Sequence, residues 1–386
     1  MKKTKGSKPK ERSYPPNVTN RLHALTAGRC EFRGCNKFTL RHEPTQQDGN
    51  YAEKAHIYAF SDRGPRPANG AVIDVNAIEN LMLLCQACHK RIDDHEEEYP
   101  VELLQEFKKE HEERVFLITG FGPERKTKPL IFIANIGKDP VSVSDSDVFT
   151  SIFPNRYPSC KSNALDFSMI PDREDWYKTA GQDAIRDHLY GFYREPPAGG
   201  RPSHISVYAL GPIPLLIQFG ASLTNKIPTD FYQKHRGTDT WKWGDGEGTA
   251  EYVLTKLKDG TDPKQVAIIF SLSGKIHLAD TGVTDEFTVY EIETKDGEQG
   301  PNYFFLKTQG DLAKFRKLYG QLVARICEDH PGVTEVSIYP AIPAPAAVCC
   351  GFDLLPKVHP NLVIYDADKT RGGFNKALIV TRQENV

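Results

Sequence analysis

Two pairs of cysteines constrain the first quarter of this chain more than any other feature of its sequence. Cys30 and Cys35 are separated by four residues that include Gly34, and Cys85 and Cys88 are separated by two. Two short-spaced pairs about 50 residues apart are a strong pattern for one tetrahedral zinc ion, because each tight turn directs two sulfurs at the same cation. Four sulfur ligands leave no coordination position open. We therefore expect a structural Zn²⁺, and we interpret the other four cysteines as packing residues.

The rest of the composition is that of an ordinary globular protein. A length of 386 residues predicts two or three domains, and 39% hydrophobic with 26% charged residues is unremarkable. No apolar run approaches the ~20 residues that a membrane span needs, and the first residues lack the pattern of a secretory signal. We therefore expect a cytoplasmic protein with no membrane partner.

Charge is unevenly distributed although the net charge is only −2. Residues 1–12 carry six Lys or Arg and one Glu. Such a segment is usually a solvated, flexible arm, and contact with phosphate groups is the less favoured alternative. We interpret residues 1–12 as a basic flexible arm.

A helix and a break predict where the first domain ends. Residues 100–118 place Leu104, Phe107 and His111 on one face at three- and four-residue steps, which indicates a helix. The glycines and proline of 120–123 end it. The first domain, including this connecting helix, is therefore predicted to cover residues 13–122.

Beyond residue 128, short apolar runs alternate with helical patterns. Predicted strands cover 129–136, 205–210, 266–272 and 336–339, and predicted helices cover 172–193, 249–258 and 311–328. Alternation of this kind predicts an α/β fold with a largely parallel sheet.

The second region also contains an internal repeat. When the chain is shifted by 131 residues, from 206 to 337, seven identities appear without a gap in about 30 positions, where chance gives about two. They are Ser206/Ser337, Tyr208/Tyr339, Pro212/Pro343, Pro214/Pro345, Gly220/Gly351, Leu223/Leu354 and Lys226/Lys357. We predict a tandem duplication of one α/β unit, with halves at about 128–260 and 264–386. The carboxyl ends of the strands, where open α/β sheets bind ligands, would face the cleft between the halves.

Polar residues with catalytic chemistry surround the cysteines of the first domain. His56 lies in a short predicted strand, and Asn80 begins the apolar run that ends at Cys85. His89 directly follows the last cysteine of the cluster. If residues 88–97 form a helix, His89 and Asp93 share a face that could bind a divalent ion.

These residues resemble a known family. His56 followed by Asn-Leu-x-x-Leu-Cys-x-x-Cys-His at 80–89 is similar to the HNH (ββα-metal) nucleases, over about residues 25–98. The resemblance implies a zinc-stabilised α+β domain in which His56 is the general base that activates water. It implies that Asn80 orients the imidazole of His56 or helps to hold the metal loop. It also implies that His89, with Asp93 as a partner, binds a catalytic Mg²⁺ (or Mn²⁺ or Ni²⁺).

The sequence departs from the family pattern at one position. Many members carry Asp or His, as a metal ligand, just before the base, where this chain has Ala55. We expect the missing ligand to come from Glu53 or Asp93.

Candidate ligand-binding residues in the second region are harder to identify. Ser273, in the Ser-Leu-Ser-Gly turn after a predicted strand, is compatible with a phosphate cradle and equally with a polar turn. Trp241 and Trp243 beside a glycine-rich loop could stack on bases, although tryptophans in such a pattern more often belong to a core. Tyr339 in the second repeat and Arg371 in a basic, glycine-rich loop complete the set of candidates.

The repeat segments GPIPLLIQFG and AIPAPAAVCCG, with KVHPNLVIYD after the second, resemble the SAVED domain over about residues 128–386. That resemblance implies an α/β domain of two fused CARF-like (Rossmann-like) halves that senses a cyclic oligonucleotide. An HNH domain ahead of SAVED resembles the endonuclease effectors of bacterial CBASS antiphage systems. The resemblance implies activation by a cyclic di- or trinucleotide, degradation of double-stranded DNA, and a homo-oligomer that goes from a dimer to a higher order on activation.

Two other interpretations remain open at this stage. The chain could be an ungated or modification-dependent HNH restriction endonuclease, whose C-terminal half reads DNA. It could also be a zinc-stabilised DNA-binding regulator without nuclease activity.

Overall fold

The computed structural model describes residues 14–61, 63–68, 74–136, 142–170, 181–194, 202–295, 300–367 and 372–382. The predicted arm at 1–12, the candidate Arg371 and the first part of the helix predicted at 172–193 lie outside these residues. The chain divides into two compact units, Met1–Phe121 and Gly122–Val386. The division falls in the glycine-rich break that ends the first predicted domain. Among the described residues, no helix is long and apolar enough to cross a membrane.

The N-terminal unit is a small ββα arrangement flanked by two further helices. Its described elements are helix α1 (Pro16–Leu25), strands β1 (Ala52–His56) and β2 (Leu81–Cys85), and helices α2 (Gln86–Asp94) and α3 (Val101–Thr119). The two strands pair antiparallel, with His56 opposite Leu81 and Ala52 opposite Cys85. Helix α2 follows β2 directly and packs against both strands.

A small apolar core and the cysteine cluster hold this unit together. All five residues of β2 are buried, and Ala55 and Ile57 pack with Ile92 of α2 and Phe107 of α3 in one apolar cluster. The predicted face of α3 is the face that packs, since Leu104, Phe107 and His111 are all buried. A core of this size contributes little stability by itself, which is the situation in which small domains use metals.

The described residues of the second unit form two sheets. The first has the strand order β4-β3-β6-β7, with β5 also paired to β3, and all of its pairings are parallel. Its elements are β3 (Lys126–Ile133), α4 (Asp145–Ile152), β4 (Tyr157–Pro158), β5 (Asn163–Asp166), α5 (Gln182–Arg194), β6 (Ile205–Leu210), α6 (Ile213–Ser222) and β7 (Thr229–Tyr232).

The second sheet has the strand order β13-β12-β11-β9-β10-β8. Its four central strands run parallel, and the edge strands β8 and β13 are antiparallel to their neighbours. Its elements are β8 (Glu251–Lys258), β9 (Val266–Ser271), β10 (Thr288–Lys295), α7 (Gln309–Asp329), β11 (Glu335–Ala341), α8 (Ala344–Phe352), β12 (Asn361–Ala367) and β13 (Phe374–Val380). One apolar cluster contains buried residues of both sheets.

The internal repeat appears in the structure as two equivalent strand–helix units. Strand β6 with helix α6 corresponds to β11 with α8, and the matching prolines Pro212 and Pro343 each precede a helix. The tyrosines of the repeat also make the same contact in both halves. The Tyr208 ring stacks on Tyr232 with centroids 4.5 Å apart, and the Tyr339 ring stacks on a tyrosine of β12 at 4.6 Å.

Two sequence expectations about the second unit are wrong in detail. Residues 249–258 were expected to be helical, but Glu251–Lys258 forms β8, an edge strand paired with β10. An edge strand that is only partly covered carries no continuous apolar run, so its residues resemble a solvated helix in sequence. The boundary between the two halves was expected at 260–264. Strand β8 precedes that boundary but belongs to the second sheet, so the second sheet begins earlier than expected.

Candidate functional site

The four cysteines predicted to bind zinc converge in the N-terminal unit. The sulfurs of Cys30, Cys35, Cys85 and Cys88 all lie within 4.8 Å of one another, and the Sγ atoms of Cys35 and Cys85 are 3.9 Å apart. Tetrahedral zinc with Zn–S bonds of ~2.3 Å requires sulfurs about 3.8 Å apart. The donor set and its spacing therefore fit a four-thiolate zinc ion.

Burial keeps two of these four thiols in the protonated form. Burial, together with the nearby sulfurs of Cys85 and Cys35, raises the pKa of Cys30 to about 12. Burial also raises the pKa of Cys88. Thiols of this kind stay protonated at neutral pH unless a cation replaces the proton, so metal binding would release protons.

The cysteine cluster is tied to the strand that carries it through Glu31. The backbone N–H of Glu31 donates to Leu83 O at 2.9 Å, and the Leu83 N–H donates back to the Glu31 carboxyl. Burial raises the pKa of this carboxyl to about 8. The Cys30–Cys35 turn is thereby fixed beside β2, and the second cysteine pair begins α2.

His56 lies at the end of β1 and is half-buried. Its Nε2 lies 3.5 Å from Asn76 Oδ1, and its ring lies against those of Tyr14 and Phe60, with centroids 5.8 and 5.5 Å away. These neighbours hold the imidazole at one edge of the ββα unit. Asn76 was missed by sequence reasoning because it precedes the motif in a loop that has no pattern of its own.

Asn80 is buried, and its amide binds backbone atoms. Its Oδ1 accepts from Tyr58 N at 2.8 Å, and its Nδ2 donates to Tyr58 O and Val75 O, both at 3.0 Å. The Ile57 N–H also donates to Asn80 O at 2.9 Å. Of the two roles considered from the sequence, holding the loop is the one that these contacts support, since the loop that Asn80 holds begins directly after His56.

His89 and Asp93 share one face of α2, at a separation of four residues. His89 Nε2 lies 3.4 Å from Asp93 Oδ2. The other Asp93 oxygen, Oδ1, accepts from the Arg66 guanidinium at 3.0 Å. Asp93 therefore links His89 to Arg66, and both of its oxygens already have partners.

Arg66 is a buried residue that the sequence did not single out. Its guanidinium donates to Ile57 O at 3.0 Å, to Ile92 O at 2.6 Å and to Asp93. It thereby joins the chain just after β1 to the last turn of α2, the elements that carry His56 and His89. Its position in a Gly-Pro-Arg-Pro loop has no periodicity or motif from which this role could be predicted.

The position before His56 faces the interior. Ala55 is buried among the residues that β1 packs against α2, and side chains alternate along a strand. Glu53 is therefore on the same face of β1 as Ala55 and on the face opposite to His56. It is half-buried and pairs with Leu84 across the sheet.

The ligand-binding candidates of the second unit are mostly core residues. Trp241 is 1% exposed and meets Tyr208 edge-on at 5.2 Å, and Trp243 is buried and donates to Phe231 O. Tyr339 is buried in its stack. The expectation that these rings contact a ligand is corrected accordingly, because none presents a face to solvent. Ser273 is half-buried, and its N–H donates to Ala341 O at 2.7 Å, closing the turn after β9 on the end of β11.

Two pairs of strands end side by side in this unit. In the first sheet β6 and β7 run parallel, and in the second β9 and β10 do. The residues that follow β7 and those that come after β10 therefore lie at the carboxyl edges of the two sheets. Open α/β sheets bind ligands at these edges.

Comparison with family models identifies two regions. Residues 30–96 match the HNH endonuclease model. Residues 185–380 match the SAVED model, described as the SMODS-associated and fused to various effectors sensor domain. The HNH match covers all four cysteines together with His56, Asn80 and His89, and the SAVED match covers both copies of the repeat.

Two solved structures to which the chain is similar are Cap4 receptors. The chain is similar to the Acinetobacter baumannii Cap4 SAVED/CARF-domain containing receptor with the cyclic trinucleotide 2′3′3′-cAAA, at 10% identity and a TM-score of 0.42, covering 76% of this chain and 62% of that one. It is also similar to the Moraxella osloensis Cap4 SAVED/CARF-domain containing receptor, at 11% identity and a TM-score of 0.37. This match covers 76% of this chain and 58% of that one. The chain thus spans about 62% of the length of the first of these receptors. A search of curated protein sequences gives no match.

Proposed function

This chain belongs to the SAVED family and carries an HNH endonuclease domain ahead of its sensor, and from that premise we propose that it is a DNA endonuclease activated by a cyclic oligonucleotide. The substrate in this proposal is double-stranded DNA, and the setting is antiphage defence of the CBASS type. The observation that carries the nuclease assignment is the ββα unit itself. There the cysteine cluster and Arg66 hold the strand end with His56 and the helix with His89 in one compact body.

His56 is the general base in this proposal. A histidine with a pKa near neutrality accepts a proton from water as the water attacks phosphorus. Asn76 and the two aromatic rings hold the imidazole, and Asn80 fixes the loop that follows it. The ring is half-buried, so part of the imidazole is exposed to solvent.

His89 is the residue we assign to a catalytic divalent ion, Mg²⁺ or else Mn²⁺ or Ni²⁺. When bound, such an ion supplies positive charge for the developing phosphorane and the departing 3′ oxygen. The Asp93 carboxylate lies beside His89 Nε2 and orients the imidazole. Carboxylates outside the coordination shell orient metal-bound imidazoles in the same way. Because Asp93 is engaged with Arg66 as well, we assign it this orienting role ahead of direct ligation, and Glu53 remains the other candidate ligand.

The cysteine cluster is assigned to a structural Zn²⁺. All four donors are sulfurs, so the ion would have no open position for chemistry. Its contribution is to fix the start of α2 against β2, and with it the position of His89.

The activating ligand in this proposal is a cyclic di- or trinucleotide bound at the carboxyl edges of the two sheets. A ligand shifts an equilibrium only by its differential affinity for the two states. We propose that the ligand favours an assembled state of the homo-oligomer, going from a dimer to a higher order, in which the HNH units cut DNA.

The base assignment is tested by His56→Ala in the full chain. Removal of a general base lowers the cleavage rate by about 10²- to 10⁴-fold. Cleavage of supercoiled plasmid in Mg²⁺ would be timed in the presence of the activating cyclic oligonucleotide. The matched control is His42→Ala, a histidine of the same unit that contacts Thr45 and Tyr51 and has no assigned role. Equal rates for His56→Ala and the unaltered protein would remove His56 from the mechanism.

A further inference from the structure

Two loops from different sheets meet at the carboxyl edges of the second unit. Residues 233–244 follow β7, and residues 300–307 come after β10 and lead into α7. The Arg236 guanidinium lies over the Tyr303 ring, 4.7 Å from its centroid, and the Gly244 N–H donates to Lys307 O at 3.0 Å. The contact joins the first sheet to the second at the edge where ligands bind in such folds.

One of these loops presents two aromatic rings to solvent from a fixed base. Tyr303 is 61% exposed and Phe304 is 59% exposed. The next two residues, Phe305 and Leu306, are buried in the core, and Phe305 meets the Tyr252 ring edge-on. Exposed rings next to buried anchors are held in place, which lowers the entropy lost when a ligand stacks on them.

The parts of these loops that meet contain more basic than acidic residues, and the acidic Asp245 and Glu247 lie in the rest of the loop after β7. Residues 233–244 and 300–307 contain four Lys or Arg and one acidic residue, Asp239, and that carboxylate pairs with Lys234 at 2.9 Å. Among the described residues, no carboxylate forms an ion pair with Arg236, Lys242 or Lys307. Cations without acidic partners beside exposed rings form a site that suits an anion with a flat, apolar portion.

We propose that Tyr303, Phe304 and Arg236 form the base-stacking and phosphate-binding wall of the cyclic-oligonucleotide site. The rings stack on a nucleobase, and the guanidinium binds the adjacent phosphate while its plane stays on Tyr303. Lys242 and Lys307 add positive charge to the same wall. The inference rests on the proposed function, because it names contacts for the ligand that the proposal assigns to these sheets.

The chemistry favours a cyclic oligonucleotide over duplex DNA at this wall. Stacking on a protein ring requires a base whose face is uncovered, and the bases of a duplex are stacked on one another. A ring of two or three nucleotides has too few bases to cover every face. Single-stranded DNA shares this property, so the experiment includes it as a separate ligand.

The test compares variants of the wall with a matched exposed pair elsewhere in the same unit. The wall variants are Tyr303→Leu with Phe304→Leu, Arg236→Ala and Arg236→Lys. The control is Tyr190→Leu on α5, a helix that belongs to neither loop, where a tyrosine that is 53% exposed has the Arg194 guanidinium 3.9 Å from its ring centroid. Calorimetry on the full chain measures the Kd of each protein for a panel of cyclic di- and trinucleotides of adenine, guanine and uracil with 3′–5′ and 2′–5′ linkages.

Stacking on an aromatic side chain contributes enough that its loss weakens binding by about 10-fold or more. We expect the double leucine variant and Arg236→Ala each to raise the Kd of the tightest panel member by at least about 10-fold. Arg236→Lys should recover part of that loss, and Tyr190→Leu should keep the affinity of the unaltered protein. Unchanged melting temperatures would show that the wall variants are folded.

Three results would contradict the inference, and they are distinguishable. If the unaltered protein binds a panel member and the wall variants bind it equally well, the wall is elsewhere while the proposed function stands. If the variants keep that affinity but lose affinity for a single-stranded oligodeoxynucleotide, the loops bind DNA instead. If the unaltered protein binds no panel member, the proposed function fails and the inference fails with it.

Discussion

Single side chains that bind backbone atoms set the geometry around His56. Asn80 uses its amide on Tyr58 and Val75, and Arg66 uses its guanidinium on Ile57 and Ile92. Substitution of either residue could move His56, the proposed general base, although neither residue has to touch the DNA. Residues of this kind are positioning residues, since an error of about 1 Å in a reacting group can lower a rate by about 100-fold.

Arg66→Met tests the positioning role of the guanidinium. The change leaves two buried carbonyls and Asp93 without their donor, so we expect the N-terminal unit to lose about 3 kcal/mol of stability and cleavage to slow. Hydrogen exchange of peptides covering 52–61 and 86–94 measures the loosening at both ends of the link. Arg41→Met is the matched control, because its exposed pair with Asp48 contributes at most about 1 kcal/mol. Equal exchange in the two variants would contradict the role of Arg66.

In the second unit, Asp311 makes stability depend on pH. Burial alone would raise its pKa, but hydrogen bonds from the Ala250 N–H, the Thr308 hydroxyl and N–H and the Lys307 N–H outweigh burial and hold the pKa below its ordinary value. A carboxyl with a lowered folded pKa stabilises the fold above the unfolded pKa, about 3.9. That stabilisation disappears as the pH falls through the lower folded pKa.

Asp311→Asn is therefore expected to destabilise the second unit by about 1–3 kcal/mol at pH 7, and the difference from the unaltered protein should shrink below about pH 4. Urea unfolding followed by tryptophan fluorescence measures this unit selectively, because all three tryptophans lie beyond residue 122. Asp187→Asn on the exposed side of α5 is the control and should unfold like the unaltered protein. A difference that stays constant down to pH 3 would show that ionised Asp311 does not stabilise the fold.

Helices α6 and α8 pack closely against each other. They cross at Gly220 and Gly351, the matching glycines of the repeat. A Cβ on Gly220 would lie 1.9 Å from Val348 O, and a Cβ on Gly351 would lie 1.9 Å from Ile217 O. Both glycines are needed because backbone meets backbone at this crossing.

Gly220→Ala and Gly351→Ala should each destabilise the second unit by about 3 kcal/mol or more, since the helices have to separate to admit a methyl group. Gly320→Ala in α7 is the control, because a Cβ there meets nothing within 4 Å. That change should stabilise the helix by up to about 1 kcal/mol. Thermal unfolding measures all three, and equal melting temperatures for the crossing variants and the control would contradict this packing.

The elements that could be predicted from the sequence are those whose pattern reflects local geometry. The helix predicted at 311–328 is α7, Gln309–Asp329, and β6 has the predicted bounds, 205–210. The elements that could not be predicted depend on neighbours distant in sequence. Strand β8 is a strand because β10 lies beside it, and Trp241 is in the core because the first sheet covers it.

At the scale of the whole chain, the domain order and the duplicated sensor follow from motifs and the repeat, and the family models match both regions. The cysteine cluster could be predicted because metal ligands require fixed residue types at short spacing. The contacts of Arg66 and the loops that meet at Arg236 could not be predicted, since loop contacts leave no periodic pattern. Three of the candidate ligand residues chosen from the sequence, Trp241, Trp243 and Tyr339, are aromatic residues of the core.

In the proposed function, the sensor unit controls the nuclease unit. For a ligand to take the assembly from about 1% to 99% active, it has to bind the active state about 10⁴-fold more tightly than the resting state. A silent resting state is therefore part of the account. An ungated restriction enzyme would cut DNA without any small molecule. A DNA-binding regulator would not cut DNA even when a small molecule is added.

The most direct test is cleavage of a supercoiled plasmid by the full chain in Mg²⁺, timed with and without each member of the cyclic di- and trinucleotide panel. The account predicts intact plasmid without a cyclic oligonucleotide and rapid degradation with at least one member of the panel. Cleavage that is equally fast without any of them would contradict the central claim that a cyclic oligonucleotide switches this nuclease on.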